Sequence, residues 1–239
     1  TEDTIDSAIM QLHDTIGSLI EADRRIIAIG MAVPGPYLRN VGRTAVVSSM
    51  RGWQKVNFIH EFSNAFTVPV FVEQDARAGA MAQYLFDPTI TTENLAYYLV
   101  GEGVGLGVID HGNIINGALG AATEIGHVSI DINGKPCDCG NVGCLERYCS
   151  TPAIHEMILK EGDLIADAGT MTHLQACRAL FALARGGDKR AIALIKRVAR
   201  YVGFGCITIF NSFNPSQIVI GDIVAEAGQL LDRKSIRLN

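Results

Sequence analysis

Cys137, Cys139 and Cys144 fall within one eight-residue span, with Gly140 and Gly143 between them and His127 ten residues upstream. The glycines let the backbone turn the three sulfurs inward. Three thiolates and one imidazole suit tetrahedral Zn²⁺, and a site with four protein ligands and no open position is structural rather than catalytic. Such a metal would staple a loop that has too few apolar residues to fold by burial, and one zinc per chain is the expectation. The alternative is three ordinary buried cysteines beside a surface histidine. Cys149, Cys177 and Cys206 stand on apolar helical stretches and read as small core residues.

Carboxylates supply the second kind of chemistry. Asp75 follows a strand-like run and precedes a helical one, so its side chain projects from the end of a sheet, where sites of α/β proteins lie. It could take a proton from a sugar hydroxyl as the general base of a phosphoryl transfer, accept a hydrogen bond from that hydroxyl, or cap its own helix. Glu124 stands three residues before His127, and Glu146 two after Cys144, so a zinc loop 127–146 would hold both carboxylates in place to accept hydrogen bonds from sugar hydroxyls. As isolated glutamates they would be solvated. Gly101, Glu102, Gly103 and Gly105 begin an alternating glycine run that could bring backbone N–H groups up to a phosphate, or mark a bulge or tight sheet packing.

These residues need a scaffold, and the pattern supplies one. Ile5, Ile9, Leu12, Ile16 and Leu19/Ile20 recur at helical spacing across 3–24, and a branched strand over 26–33 then ends at Pro34-Gly35-Pro36. A hairpin or loop fills 37–53, a helix covers about 56–66, a strand 68–72 and an Ala-rich helix 76–86. Asp87-Pro88 stops that helix and sets the expected domain boundary, giving lobes 1–88 and 89–239. The second half reads as strands over 96–100 and into Ile109, a hairpin turn at Asp110–Asn113, helices over 152–160, 172–185 and 189–210, a strand at 216–220 and a final helix 224–232. Alternating strands and helices in two halves indicate an α/β architecture with a mixed sheet in each lobe.

The zinc and carboxylate residues together resemble the ROK family of repressors, open reading frames and sugar kinases. Glu124-Ile125-Gly126-His127 followed by Cys137-x-Cys139-Gly140-x-x-Gly143-Cys144-Leu145-Glu146 matches the family signature. Val33-Pro34-Gly35, Gly52-Trp53, Glu73-x-Asp75-Ala76, the glycine run and Phe213-Asn214-Pro215 before Ile218-Val219-Ile220-Gly221 agree with it more weakly. The resemblance implies the two-lobed actin-like sugar kinase fold and zinc on His127, Cys137, Cys139 and Cys144. It also implies sugar contacts by Asp75, Glu124, His127 and Glu146, with Asp75 as base if the protein is a kinase that uses ATP and Mg²⁺.

Four departures weigh against that kinase reading. The Asp-x-Gly-Gly-Thr phosphate loop of family kinases is not found in these residues. Glu102 stands where the second phosphate segment has Thr, Gln74 where Asn is common, and Gly221-Asp222 where a Gly-Gly pair is expected. Like charges about 4 Å apart repel by about 1 kcal/mol in water and about 4 kcal/mol at an effective dielectric of 20. The combination is closest to the family's transcriptional repressors that respond to glucose, N-acetylglucosamine or xylose. The expectation is therefore the sensing and dimerising portion of such a regulator, forming a homodimer or a dimer of dimers. Its effector would be a small sugar, a sugar phosphate or a regulatory protein, and DNA would be met through a helix-turn-helix outside this chain. An ATP-dependent hexose or N-acetylhexosamine kinase is the alternative.

Composition agrees with both readings. The 239 residues are 48% hydrophobic and 19% charged with a mean hydropathy of +0.22, which is globular rather than disordered. A net charge of −5 lacks the basic surface of sequence-independent nucleic-acid binding. No apolar run approaches a membrane span, and Thr1-Glu2-Asp3 is unlike a signal peptide, so a cytoplasmic chain without membrane contact is expected. The opening on Thr1 and the close just after a helix-like run read as a piece of something longer.

Overall fold

The computed structural model describes residues 2–45 and 52–231. By backbone proximity the chain divides into two compact units, 1–78 with 116–122 and 79–115 with 123–239.

In the first unit, α1 (Glu2–Ala22) lays Ile5, Ile9, Ile16 and Ile20 against a core of Val33, Tyr37, Val56, Phe58, Phe62 and Val70, leaving Leu19 exposed at the edge of the stripe. Asp23 accepts hydrogen bonds from Arg25, a turn that delays β1 (Ile29–Val33) past the expected start at 26. β2 (Tyr37–Leu38) and β3 (Arg43–Thr44) form the small hairpin within the segment read as hairpin or loop; residues 46–51 of that segment lie outside the described residues. The helix expected over 56–66 shortens to α2 (Phe58–Phe62), capped by Asn57, whose side chain accepts the His60 N–H. β4 (Val70–Gln74) pairs parallel with β1 and carries the strand to the residue before Asp75. Among the described residues this lobe's sheets are that parallel pair and the separate hairpin, rather than one mixed sheet.

The expected boundary at 88 and the observed division differ for a packing reason. α3 (Asp75–Phe86) starts in the first unit, but Ala80 is buried with Leu95 and Ile109 of the second, and Gly79 lets Tyr97 approach its backbone. Gly120, at φ +72, brings 116–122 back against Arg39.

The second unit is built on a mixed sheet in the order β7 (Asn113–Ile114), β6 (Val104–Asp110), β5 (Leu95–Val100), β8 (Gln217–Gly221), with β5 and β8 parallel and the other pairs antiparallel. His111 and Gly112 both take positive φ, as the expected turn at 110–113 requires. α4 (Glu146–Cys149), α5 (Thr151–Lys160), α6 (His173–Arg185) and α7 (Lys189–Phe213) enclose the core with Tyr98, Leu106, Leu145, Ile154, Leu180, Ile195 and Ile209. Thr172 and Gln175 cap α6 reciprocally, and Asn214 ends α7 in the left-handed conformation. Cys149, Cys177 and Cys206 are buried in this core as expected, and burial pushes the Cys177 thiol up to about 12 and that of Cys206 to about 11. The final helix is instead a run of 3₁₀ turns over Ile223–Leu231, broken where Gly228 adopts φ +55°. No helix of the described residues is long and apolar enough to cross a membrane.

α7 seats on the sheet through Gly205, where a Cβ would overlap the hydroxyl of fully buried Tyr98. Gly205→Ala should cost about 1–3 kcal/mol as overpacking, and at roughly 2–4 °C per kcal/mol the loss is readable in the melting temperature. An unchanged midpoint would show that Tyr98 moves aside freely.

Candidate functional site

The site is built upward from β6. Val104 opens that strand, and Gly126 packs so tightly on it that a Cβ would overlap the Val104 carbonyl oxygen. The contact fixes a 3₁₀ turn, Ile125–His127, preceded by Thr123 at φ +70, whose hydroxyl donates to the Leu106 carbonyl. Glu124 and His127 therefore leave the strand surface from the two ends of one short turn. Both are half-buried.

Beyond His127 the backbone runs out and returns. Ser129 bridges to Cys144 and Pro136 to Val142, while Ile130 N–H donates to Gly143 O and Leu145 N–H to Val128 O. Gly140 and Gly143 take φ +91 and +74, the conformations the spacing demands, and a Cβ at Gly143 would overlap the Asp131 carbonyl. The result brings His127, Cys137, Cys139 and Cys144 together, with their four donor atoms within 4.8 Å of one another. Cys137 Sγ lies 3.7 Å from His127 Nδ1, and Cys139 Sγ 3.6 Å from Cys144 Sγ. Sulfurs at about 2.3 Å from one tetrahedral metal would stand about 3.8 Å apart, so the donor set fits such an ion. The His127 ring turns Nδ1 toward the sulfurs.

The thiols differ in environment. Burial, with the neighbouring thiols, pushes Cys144 up to about 12, and burial raises Cys137. Cys139 is exposed; its slight burial raises it, but the Asn141 N–H and the two other thiols outweigh that and hold it below the ordinary thiol value. The loop's apolar side chains do little to hold it, since Ile132 is 84% exposed and Val128 and Val142 are exposed as well.

Past Cys144 the chain re-enters the core at Leu145 and starts α4 with Glu146. Its Oε2 accepts the Val104 N–H at 3.0 Å, and Gly103 leaves room for this carboxylate. Glu124, His127 and Glu146 are thus all tied within the second unit to the start of β6.

Asp75 follows β4 directly and opens α3, where its Oδ1 accepts the N–H of the next residue, Ala76, at 2.7 Å. Behind it, fully buried Arg77 donates to Glu73 Oε1 at 2.8 Å and to the Tyr37 carbonyl. Gln74 packs its amide against Gly35 of the Pro34–Gly35–Pro36 turn.

The glycine run resolves into two parts. Gly101, Glu102 and Gly103 form a tight turn closed by Gly101 N–H to Gly103 O, whereas Gly105 lies inside β6, opposite Leu99. Glu102 Oε2 accepts the Thr151 hydroxyl and Oε1 lies 2.7 Å from His173 Nδ1. Thr151 and His173 were not singled out from the sequence. The Thr172–Gln175 capping pair would have put His173 in the first turn of a helix, but nothing local tells that this turn meets residue 102.

Similarity to known proteins agrees with this construction. The ROK family profile matches residues 1–238. The xylose repressor of Bacillus subtilis is 31% identical over 228 residues, which span 95% of this chain and 56% of that protein, so the chain spans just over half of that relative's length. A crystal structure of a ROK family transcriptional regulator, described as a homologue of the E. coli MLC protein, superposes with a TM-score of 0.79 at 29% identity, covering 97% of this chain and 59% of that one. A ROK glucokinase from Streptomyces griseus, solved with glucose and AMPPNP, superposes with a TM-score of 0.77 at 25% identity, covering 95% and 77%. The actin-like fold of these proteins is the fold of this chain. With the cysteine signature folded into one cluster and the match running from end to end, the chain belongs to the ROK family.

Proposed function

We propose that these residues are the sugar-sensing and dimerising part of a ROK transcriptional regulator, and that DNA is met by a domain outside them. The observation that carries the sugar-binding half is the attachment of Glu124, His127 and Glu146 to the start of β6 by one turn, one cysteine loop and one N–H bond. Two carboxylates and an imidazole edge held this way present acceptors and a donor at fixed spacing, which is what vicinal hydroxyls need for binding without reorganisation. The resemblance adds Asp75, in the first unit, as a further hydroxyl acceptor.

His127, Cys137, Cys139 and Cys144 would hold a structural Zn²⁺. It supplies no reaction chemistry; it cross-links a loop that buries little apolar surface and thereby fixes both glutamates. The effector is a small sugar or sugar phosphate. It acts through its differential affinity for two arrangements of a homodimer or dimer of dimers in the cytoplasm, or in concert with a regulatory protein. The similarity to repressors supports the regulatory reading, and so does the carboxylate of Glu102 in the glycine turn. The kinase alternative rests on Asp75 at the end of β4 and on the similarity to glucokinases, with Asp75 as base and ATP with Mg²⁺ as co-substrate.

Two experiments on the full-length protein test this. D-xylose, D-glucose and N-acetylglucosamine are screened by melting temperature and by release of operator DNA, alongside ADP release in magnesium ATP. A stabilising sugar that also releases DNA, without turnover, is expected; sugar-dependent ADP release abolished by Asp75→Asn establishes the kinase instead. Elemental analysis should find one zinc per chain, and Cys144→Ser should lose it together with the sugar-induced stabilisation. Full sugar response in protein stripped of metal would overturn the structural role of the cluster.

A further inference from the structure

Where β4 gives way to α3, the groups on either side of Asp75 are tied to a single oxygen. Glu73 Oε1 accepts the Gln74 N–H at 2.8 Å and the Arg77 Nε–H at 2.8 Å, with Arg77 Nη2 also 2.8 Å away. The bridge from 73 to 77 therefore spans the residue that opens α3. Arg77 Nη2 also donates to the Tyr37 carbonyl at 3.3 Å, which joins the junction to β2, and Arg39, directly after β2, stands 3.6 Å from Glu73 Oε2. On the strand side Glu73 and Gln74 are held in register opposite Ala32 and Val33 of β1.

This bridge lies inside the protein: the Arg77 side chain is fully buried and that of Glu73 is 14% exposed. Burying an ion pair removes both charges from water, and apolar residues of similar volume are often at least as stabilising. Arg77 Nη1 is buried as well and has no acceptor among the described residues, which is a further cost. What the pair supplies that apolar side chains do not is direction, because a planar guanidinium held by a carboxylate and a carbonyl fixes its neighbours at set angles.

We propose that Arg77 is a positioning residue for ligand binding: through Glu73 and the Tyr37 carbonyl it sets the strand-to-helix junction from which the Asp75 carboxylate is presented to a sugar hydroxyl. This deepens the sugar-sensing reading and rests on it, since it takes Asp75 as a hydroxyl acceptor. Two acids stand two residues apart in the sequence, and Arg77 divides their roles. Glu73 is engaged within the chain, so Asp75 is the carboxylate of the pair that serves the ligand.

The test uses full-length protein with Arg77→Met, Arg77→Lys, Asp75→Asn and the two double variants. Lysine keeps a charge beside Glu73 but has no fork to hold the Tyr37 carbonyl at the same time, and it carries the comparison where the methionine variant fails to fold. Calorimetric titration with D-xylose, D-glucose and N-acetylglucosamine reads affinity, and amide hydrogen exchange at Gln74, set against Tyr98 in the second unit, reads order at the junction. Arg77→Met should weaken binding of the responsive sugar about tenfold, Arg77→Lys should weaken it less, and neither should weaken it further once Asp75 is Asn. The Gln74 amide should exchange at least about fivefold faster in both Arg77 variants, with Tyr98 changing less. Losses that add in the double variants, unchanged sugar affinity in folded Arg77→Met, or Gln74 exchange that rises only in step with Tyr98 overturns the proposal. Unchanged affinity in Asp75→Asn removes Asp75 from the sugar site and the proposal with it. Absence of binding by all three sugars in the wild type counts against the sensing reading, while exchange at Gln74 still decides whether Arg77 sets the junction.

Discussion

The close approach of Gly126 to the Val104 carbonyl is the constraint on which the candidate site depends. A residue with any side chain at 126 would hold the 125–127 turn off the sheet. With glycine there, the turn lies on the strand, and Glu124 and His127 inherit the rigidity of a sheet core whose facing residues Leu106, Tyr98 and Val100 are fully buried. Everything farther along the loop takes its origin from that contact. His127 is one corner of the cysteine cluster, Cys144 is another, and Leu145, buried and bonded to Val128, returns the chain to the core directly before Glu146.

This arrangement shows why a metal-type cluster belongs in a chain this large. The second unit has an ample core and needs no staple as a whole. The stretch from 128 to 143 is different: it carries few apolar side chains, those it has point largely to solvent, and its backbone bonds are a handful of bridges and turns. Conformational entropy would win over so little burial unless another source of free energy held the strand-like arms together. A metal on the four donors, which lie within 4.8 Å of one another, would supply it, beside Glu124 and Glu146. The same loop also anchors outward, since Lys135 bonds Glu156 of α5 and lies over the Tyr148 ring. Lys135 and Lys160 together hold the Glu156 carboxyl down to about 2, so the link is ionised across the physiological range.

Much of this was legible in the sequence because the signals were local. Spacing of Cys137, Cys139 and Cys144 with Gly140 and Gly143 is a statement about one loop, and the loop folds as its glycines require. The long amphipathic runs became α1, α6 and α7, and the three remaining cysteines fell on their buried faces or beside them. What escaped was non-local. The helix read over 56–66 stops at Phe62, since hydrophobic content alone does not say how many turns the core can receive. The boundary placed after Pro88 ignored that Ala80 and Gly79 belong to a different core from Asp75, although one helix carries them all. The final helix failed at Gly228, where a single positive φ outweighs an otherwise apolar, helical pattern. The partners of Glu102 lie 49 and 71 residues away, and no periodicity connects them.

A Thr at position 102 would offer a short neutral hydroxyl beside the backbone N–H groups of the turn. Glutamate adds reach and charge together, and the structure uses both: the longer side chain spans from the turn to two helix starts, and the charge is what those starts favour. The carboxylate is therefore part of the fold's own bonding. Thr151 and His173 gain a permanent partner, and α5 and α6 become tied to the same turn that lies beside Glu146 through Val104. The turn is thus held by contacts internal to the chain, next to Glu146, whose carboxylate is bound to the same strand start.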